Sequence, residues 1–347
     1  MKEWVSIFWV VLVSFLVVWV ADLAAGQLAP IHHLREVEDA VTEIKTRNPR
    51  WLVIGSSHAR TFSVVDRLLS RLQPGGDHLV AVPLEYGKMS SYEWVLRHRL
   101  RPLLEEKTRT GTLVRNKVQG VLLVTEWWDT VAVEGLRAHN LPARAWNIND
   151  FLKDVWSNGL TPYNQNYVRN RWMRLGSRSV LLSDRGHGRI LKKLREKVRP
   201  LSRATQQRLY RQQIQQWQRM VEAGARKMLA KKQVASFHKV LSYFKDKGLS
   251  VVVVLYPRMP GTITQKAKKD TLETFAKRMK KICEKRKVKL VDLSYQSPLK
   301  DLHFSSDFDH LTAEGNRRFA QWSLEGPLRF LRQLDRPSQR KDKTVGK

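Results

Sequence analysis

The sequence predicts an α/β fold, three-layer α/β/α with a parallel sheet, preceded by one N-terminal transmembrane helix. Two observations carry this. Five short apolar runs, at residues 51–54, 79–82, 121–124, 251–255 and 289–293, alternate with helix signals, which is the order of parallel strands covered by helices. Ahead of them, residues 4–21 form an uncharged stretch of eighteen residues interrupted only by Ser6 and Ser14. The roughly 320 residues that follow in this chain of 347 suffice for one large α/β domain with an insertion. Cys283 is the single cysteine, so no internal disulfide forms and the fold rests on its core.

The opening stretch reads first as a membrane span. It ends at Asp22, and extension through Leu23, Ala24 and Ala25 gives the roughly 20 residues a helix needs to cross the hydrocarbon core. Trp4, Trp9 and Trp19 suit interfacial anchoring. A cleaved signal peptide is the competing reading, because Leu23-Ala24-Ala25-Gly26 has the small residues of a cleavage site. The apolar run exceeds the usual signal core of about 7 to 15 residues, and Lys2 is opposed by Glu3. A retained membrane anchor, or uncleaved signal sequence, over residues 1–26 is therefore favoured. The domain at 27–334 is then extracytoplasmic, periplasmic or extracellular.

Residues 51–54 lead through Gly55-Ser56-Ser57-His58 into 59–63, a strand, a tight turn and the start of a helix. A serine there sits at the carboxyl end of a strand, and the amides opening the helix can face developing negative charge. The same pattern fits a serine helix cap beside a loop glycine. After 79–82, Gly87 stands in Pro83-Leu84-Glu85-Tyr86-Gly87-Lys88-Met89-Ser90, where a turn needing positive φ would also call for it. The run at 121–124 passes into Thr125-Glu126-Trp127-Trp128-Asp129. A basic, largely helical insertion at about 131–232 then interrupts the α/β order. It is dense in arginine at Arg169, Arg171 and Arg174, and it closes in a long helix over 203–232. Residues 250–257 form a buried strand ending at Pro257, a basic helix runs to Lys287, and 288–293 form the last strand. Asn316 to Trp322 is helical, and 335–347 form a disordered basic tail.

The chemistry lies at opposite ends of this order. Asp307 and His310, in Asp307-Phe308-Asp309-His310-Leu311, have the spacing at which a carboxylate on a tight turn reaches Nδ1 while Nε2 faces outward. A serine hydroxyl is a weak nucleophile until such an imidazole takes its proton, and Ser57 would supply the hydroxyl. Asp309, one residue from His310, is badly placed to orient it. His58 points elsewhere if Ser57 faces a pocket, and reads as structural or as a contact behind the site. No metal and no cofactor are expected: His32, His33 and His303 have no partner at ligand spacing.

These two blocks resemble the SGNH (GDSL-like) hydrolase superfamily, whose first block carries a serine and whose last block is D-x-x-H-L before a glycine-containing helix start. The resemblance covers residues 50–130 and 235–330, with Ser56 where the first block usually has aspartate, as in divergent membrane-anchored members. It implies an SGNH/flavodoxin-like sheet, a Ser57-His310-Asp307 catalytic triad, and an oxyanion hole from the amides of Ser57 and Gly87. The third block departs from the pattern, because no asparagine stands in Thr125-Glu126-Trp127-Trp128-Asp129. Either another donor substitutes, such as Asn147 or Asn149, or the site is altered or inactive.

Sixty-three Lys and Arg against thirty-two Asp and Glu give a net charge of +31, which attracts polyanions. Cell-envelope polysaccharide or another acylated polyanion, anionic lipid beside the anchor, and nucleic acid all fit that charge. Export argues against nucleic acid, and no nucleic-acid-binding motif is present. Arg169, Arg171 and Arg174 are the candidate substrate-binding residues. The expectation is a membrane-anchored serine esterase or O-acyltransferase acting on acyl, chiefly acetyl, esters of envelope polysaccharide. The alternative is a catalytically degenerate SGNH-fold protein that binds anionic polysaccharide or lipid.

Overall fold

Five strands, β1 (Trp51–Ser56), β2 (Leu79–Leu84), β3 (Gly120–Thr125), β4 (Ser250–Leu255) and β5 (Lys289–Asp292), form one parallel sheet in the order β2-β1-β3-β4-β5. The computed structural model describes residues 32–74, 78–84, 87–106, 118–131, 203–224, 228–294, 297–305 and 307–332, with 7–14, 16–17, 20, 151–152, 155–156 and 159. The register runs across the sheet: Trp51 of β1 pairs with Leu79 on one side and Gly120 on the other, Gly120 with Ser250, and Val252 with Lys289. Gly55 permits the close approach of β1 to β3, since a Cβ there would lie 2.8 Å from the Val124 carbonyl oxygen and 2.9 Å from its Cβ.

Helices cover both faces, which is why the strands read as near-continuous apolar runs. Side chains alternate along each strand with period two. Leu52, Ile54, Val80, Val82, Leu123 and Val253 share one core with α1 (His32–Arg47), α3 (Met89–Val95), α5 (Lys231–Asp246) and α6 (Thr274–Lys285). Trp51, Val53, Leu122, Val124, Val252 and Val254 share the other with α2 (Phe62–Leu72) and α7 (Ala313–Glu325). Each fully buried side chain of this kind contributes about 1.5–3 kcal/mol. Cys283 lies inside the first core, where burial pushes its thiol up to about 12 and leaves it a small apolar filler.

One expectation needs correction. The helix expected over 203–232 is two helices, α4 (Arg203–Gly224) and α5. Gly224 packs on the indole of Trp127, where a Cβ would fall 2.3 Å from a ring carbon. Leu229 then takes φ +59°, and the amides of Leu229 and Ala230 donate to the Thr130 hydroxyl and carbonyl at 3.1 and 3.0 Å. The break is thus fixed by the loop after β3. At the amino terminus, 7–14, 16–17 and 20 are helical with exposed apolar side chains such as Phe8 and Val10, but no helix among the described residues is long and apolar enough to cross a membrane. The rest of the expected anchor and the tail at 335–347 lie outside the described residues.

The order β2-β1-β3 reverses direction at β1, so the crevice between the carboxyl ends of β1 and β3 is the switch point where open α/β sheets bind ligands.

Candidate active site

Ser57 stands at that crevice. β1 ends at Ser56, and the chain turns at once into a single 3-10 segment, Ser57–Thr61, that runs into α2. The Ser57 side chain is thereby held on the first residue after the strand, where it is largely buried.

The opposing block is carried by a small hairpin after β5. The Ser305 amide donates to the His310 carbonyl at 2.7 Å, and the Thr312 amide to the His303 carbonyl at 2.9 Å. At its tip Phe308 adopts φ +62°. That conformation costs a residue with a Cβ about 1–2 kcal/mol. Burial of the Phe308 ring, which packs edge-on against Tyr210 at 5.3 Å, offsets the cost. The turn brings three donors onto one carboxylate oxygen: Asp307 Oδ1 accepts from the amides of Asp309 and His310, each at 3.0 Å, and from the Ser305 hydroxyl. The other oxygen, Oδ2, accepts from His310 Nδ1 at 2.8 Å.

His310 Nε2 lies 2.6 Å from Ser57 Oγ. Asp307 can only accept, so the proton sits on Nδ1 and Nε2 is free to take the hydroxyl proton. The electrostatics agree with that assignment. The hydrogen bond to Asp307 raises the His310 value above that of an ordinary imidazole, against a lowering by partial burial. Partial burial pushes the Asp307 carboxyl up, but its hydrogen bonds from His310 and Ser305 outweigh this and hold it well below the usual carboxylate range.

Gly87 closes the turn after β2. Its amide donates to the Leu84 carbonyl at 2.8 Å, so its only donor is already engaged as the structure stands. A Cβ at this position would meet Leu84 at 2.8 Å, which explains the glycine through packing. Asn147, Asn149, Arg169, Arg171 and Arg174 lie outside the described residues.

Sequence reasoning missed a buried polar network beneath the relay, fed from the segments after β1, β2, β3 and β4 and from the hairpin that carries Asp309. Ser56 Oγ lies 2.9 Å from His58 Nδ1, and His58 Nε2 lies 3.3 Å from Asp309 Oδ2. Arg258, after β4, donates to Asp309 at 2.7 Å and pairs with Glu126, after β3. Tyr92 donates to Asp129 at 2.9 Å, and the Glu126 amide donates to the same carboxylate at 3.1 Å. Lys88, after β2, donates to the Trp128 carbonyl and lies 4.3 Å from the centre of its ring. Burial lowers the Lys88 ammonium to about 8 and raises the Asp129 carboxyl to about 6. Position alone sets Glu126 and Arg258 apart in the sequence, and it does not reveal their burial: Glu126 directly follows β3, and Arg258 stands three residues beyond the end of β4.

Among the described residues, donor atoms of His58, Asp309 and His310 come within 4.8 Å of one another. A cation there would have to displace His310 from Ser57 or Asp307 and sit beside the Arg258 guanidinium, so the group does not suit a metal. His303 is buried and accepts the Lys300 amide at 2.8 Å.

No protein-family model matches the chain, and no curated protein matches it. Among solved structures it is similar to the crystal structure of the lipase/acylhydrolase from Enterococcus faecalis, at a TM-score of 0.37 and 9% identity over 82% of this chain and 96% of that one. A likeness of that size carries no argument about chemistry. The chemical reading rests on the site.

Proposed function

We propose that this chain is a serine esterase or O-acyltransferase of the SGNH type, anchored in a membrane with its main domain extracytoplasmic, acting on acyl esters of a cell-envelope polysaccharide. One observation carries the chemistry: a serine hydroxyl, an imidazole and a carboxylate in line, at 2.6 and 2.8 Å, at the mouth of the switch-point crevice. Ser57 Oγ attacks the acyl carbonyl as its proton passes to His310 Nε2. The tetrahedral intermediate expels the sugar oxygen, which takes that proton and leaves an acyl-serine. Water or a second sugar hydroxyl, deprotonated by His310, then attacks the acyl carbon and returns Ser57 to its free form. Water makes the protein an esterase, and a sugar makes it a transferase.

The Ser57 amide, at the opening of the turn, is our first oxyanion donor. Gly87 joins it only by giving up its bond to Leu84. Each missing donor lowers turnover by about 10²–10³. The net charge of +31 supports an anionic polymer as substrate, with Arg169, Arg171 and Arg174 as its proposed contacts. The uncharged opening stretch supports the anchor.

A second reading, a polymer-binding protein without turnover, is favoured by the engaged Gly87 amide and by Glu126 in the block where asparagine is expected. Hydrolysis of p-nitrophenyl acetate by the full-length chain in detergent separates the two. We expect p-nitrophenol release by the wild type and its loss in Ser57→Ala and His310→Ala. A wild-type rate no higher than that of the folded variants would overturn the enzyme reading. Transfer is then tested by adding an oligosaccharide acceptor and weighing it for the added acyl group.

A further inference from the structure

Below the surface relay lies a second set of the same three residue types, Ser56, His58 and Asp309, built with the ring reversed: serine on Nδ1 and carboxylate on Nε2. Its imidazole stacks on that of His310, with centroids 5.2 Å apart and 28° between planes, and on the ring of Tyr256 at 4.2 Å and 27°. Tyr256 is itself pinned through a 2.7 Å hydrogen bond between its hydroxyl and that of Thr61.

The two histidines differ in how firmly they are held. His310 stands on a surface turn, and Asp307, the partner of its Nδ1, has a side chain 53% exposed. His58 is 2% exposed, with contacts on both edges and on its faces. Its carboxylate partner is tied to Arg258 and through Arg258 to Glu126, so the whole rank is anchored at the ends of β1, β4 and β3.

We propose that His58 is a positioning residue for His310: a buried plate, clamped by Ser56, Asp309 and Tyr256, against which the His310 ring lies so that Nε2 meets Ser57 while Nδ1 meets Asp307. An in-line relay tolerates little tilt, since a displacement of about 1 Å costs about 10²-fold in rate. A pair on an exposed turn has no such precision of its own. Asp309 adds a charge effect through the same rank, favouring the protonated form of His310 along with Asp307, while Arg60 opposes it. This rests on the reading of His310 as the general base, and the test keeps the two apart.

Nuclear magnetic resonance of the full-length protein with ring-labelled histidine follows the His310 Nδ1 proton, alongside kcat and KM for p-nitrophenyl acetate. In the wild type we expect a downfield signal from the proton shared with Asp307. His58→Ala should broaden or lose it, lower the His310 titration midpoint, and cut kcat at least tenfold with KM unchanged. His58→Phe, which keeps a plate and gives up the edges, should restore the signal only in part. Should His58→Ala fail to fold, Ser56→Ala removes the 2.9 Å edge contact, together with the Ser56 hydrogen bond to Tyr92, and should broaden the same signal. An unchanged signal and midpoint in folded variants would show that His58 only packs, and would overturn the proposal. If the signals move as expected but no form hydrolyses the ester, the positioning stands and the ester chemistry fails.

Discussion

Ser57 Oγ and His310 Nε2 stand 253 residues apart in the chain and 2.6 Å apart in the structure. The contact is productive only while His310 is neutral, because a protonated Nε2 cannot accept. His310 is raised above the ordinary imidazole value, chiefly by its hydrogen bond to Asp307. Esterase activity should therefore climb with pH along a limb centred above that ordinary value. Asp307→Asn should move the limb to lower pH and reduce its plateau by about 10²–10⁴-fold through loss of the correct tautomer. A pH–rate profile of p-nitrophenyl acetate hydrolysis reads both effects, and an unmoved limb would mean that another group is the base.

His310 and its partner Asp307 also link stability to pH, each in its own direction. A raised His310 binds its proton more tightly folded than unfolded, so its contribution is complete below the unfolded value and is lost as pH rises through the folded one. Asp307, held low, contributes above the unfolded carboxylate value and loses that contribution as pH falls. His310→Gln should remove the decline in stability just above neutral pH, read from urea unfolding at a series of pH values.

Ser57, Asp307 and His310 are legible in the sequence because each sits beside a strong local signal, an apolar run ending in Gly55 or the D-x-x-H-L block before a helix. The five strands are legible for a related reason: with helices on both faces, they have no polar side to interrupt the apolar run. Glu126, Arg258, Asp309 and Lys88 are not. A charged residue in a basic chain looks solvated until the fold closes over it, and the partners of these four come from distant loops. Gly224 was unreadable for the same reason, since the indole that forbids a side chain there belongs to Trp127.

Arg258 sits almost wholly inside, between Asp309 and Glu126. Arg258→Met would leave two carboxylates without their cation, and breaking a buried pair from one side costs about 3–5 kcal/mol. Arg258→Met combined with Glu126→Met removes one of the stranded charges and should lose less than Arg258→Met alone. Urea titrations of the two variants compare them, and a double variant as unstable as the single would mean that Glu126 is not buried against Arg258.

Gly224 ends α4 against the Trp127 ring. Gly224→Ala puts a methyl where the nearest indole carbon stands 2.3 Å away, so the helix end or the indole must shift. Overpacking of this kind costs about 1–3 kcal/mol. A fall in Tm of several degrees is expected, and Trp127→Phe, which opens space at the same place, should relieve part of it. A Gly224→Ala protein as stable as the wild type would mean that α4 is free to back away from the loop after β3.

Lys88 and Asp129 are a buried cation and a buried anion whose stability effects fall in separate pH windows. Burial lowers Lys88 to about 8. Between that value and the ordinary lysine value of about 10.4, the unfolded chain holds more protons than the folded one, so stability rises with pH. Burial raises Asp129 to about 6, even though Lys88 and the Tyr92 hydroxyl pull it back. Between the ordinary value of about 3.9 and that one, the folded chain holds more protons, so stability falls as pH rises. Each group can contribute a slope of at most about 1.4 kcal/mol per pH unit. Lys88→Met should remove the alkaline-side rise and, by taking away the cation that holds Asp129 down, extend the acid-side fall; Asp129→Asn should remove the acid-side fall and, by taking away the anion that holds Lys88 up, extend the alkaline-side rise. If Lys88→Met leaves the alkaline slope intact, the ammonium reaches water in solution and the Trp128 carbonyl is not its resting partner.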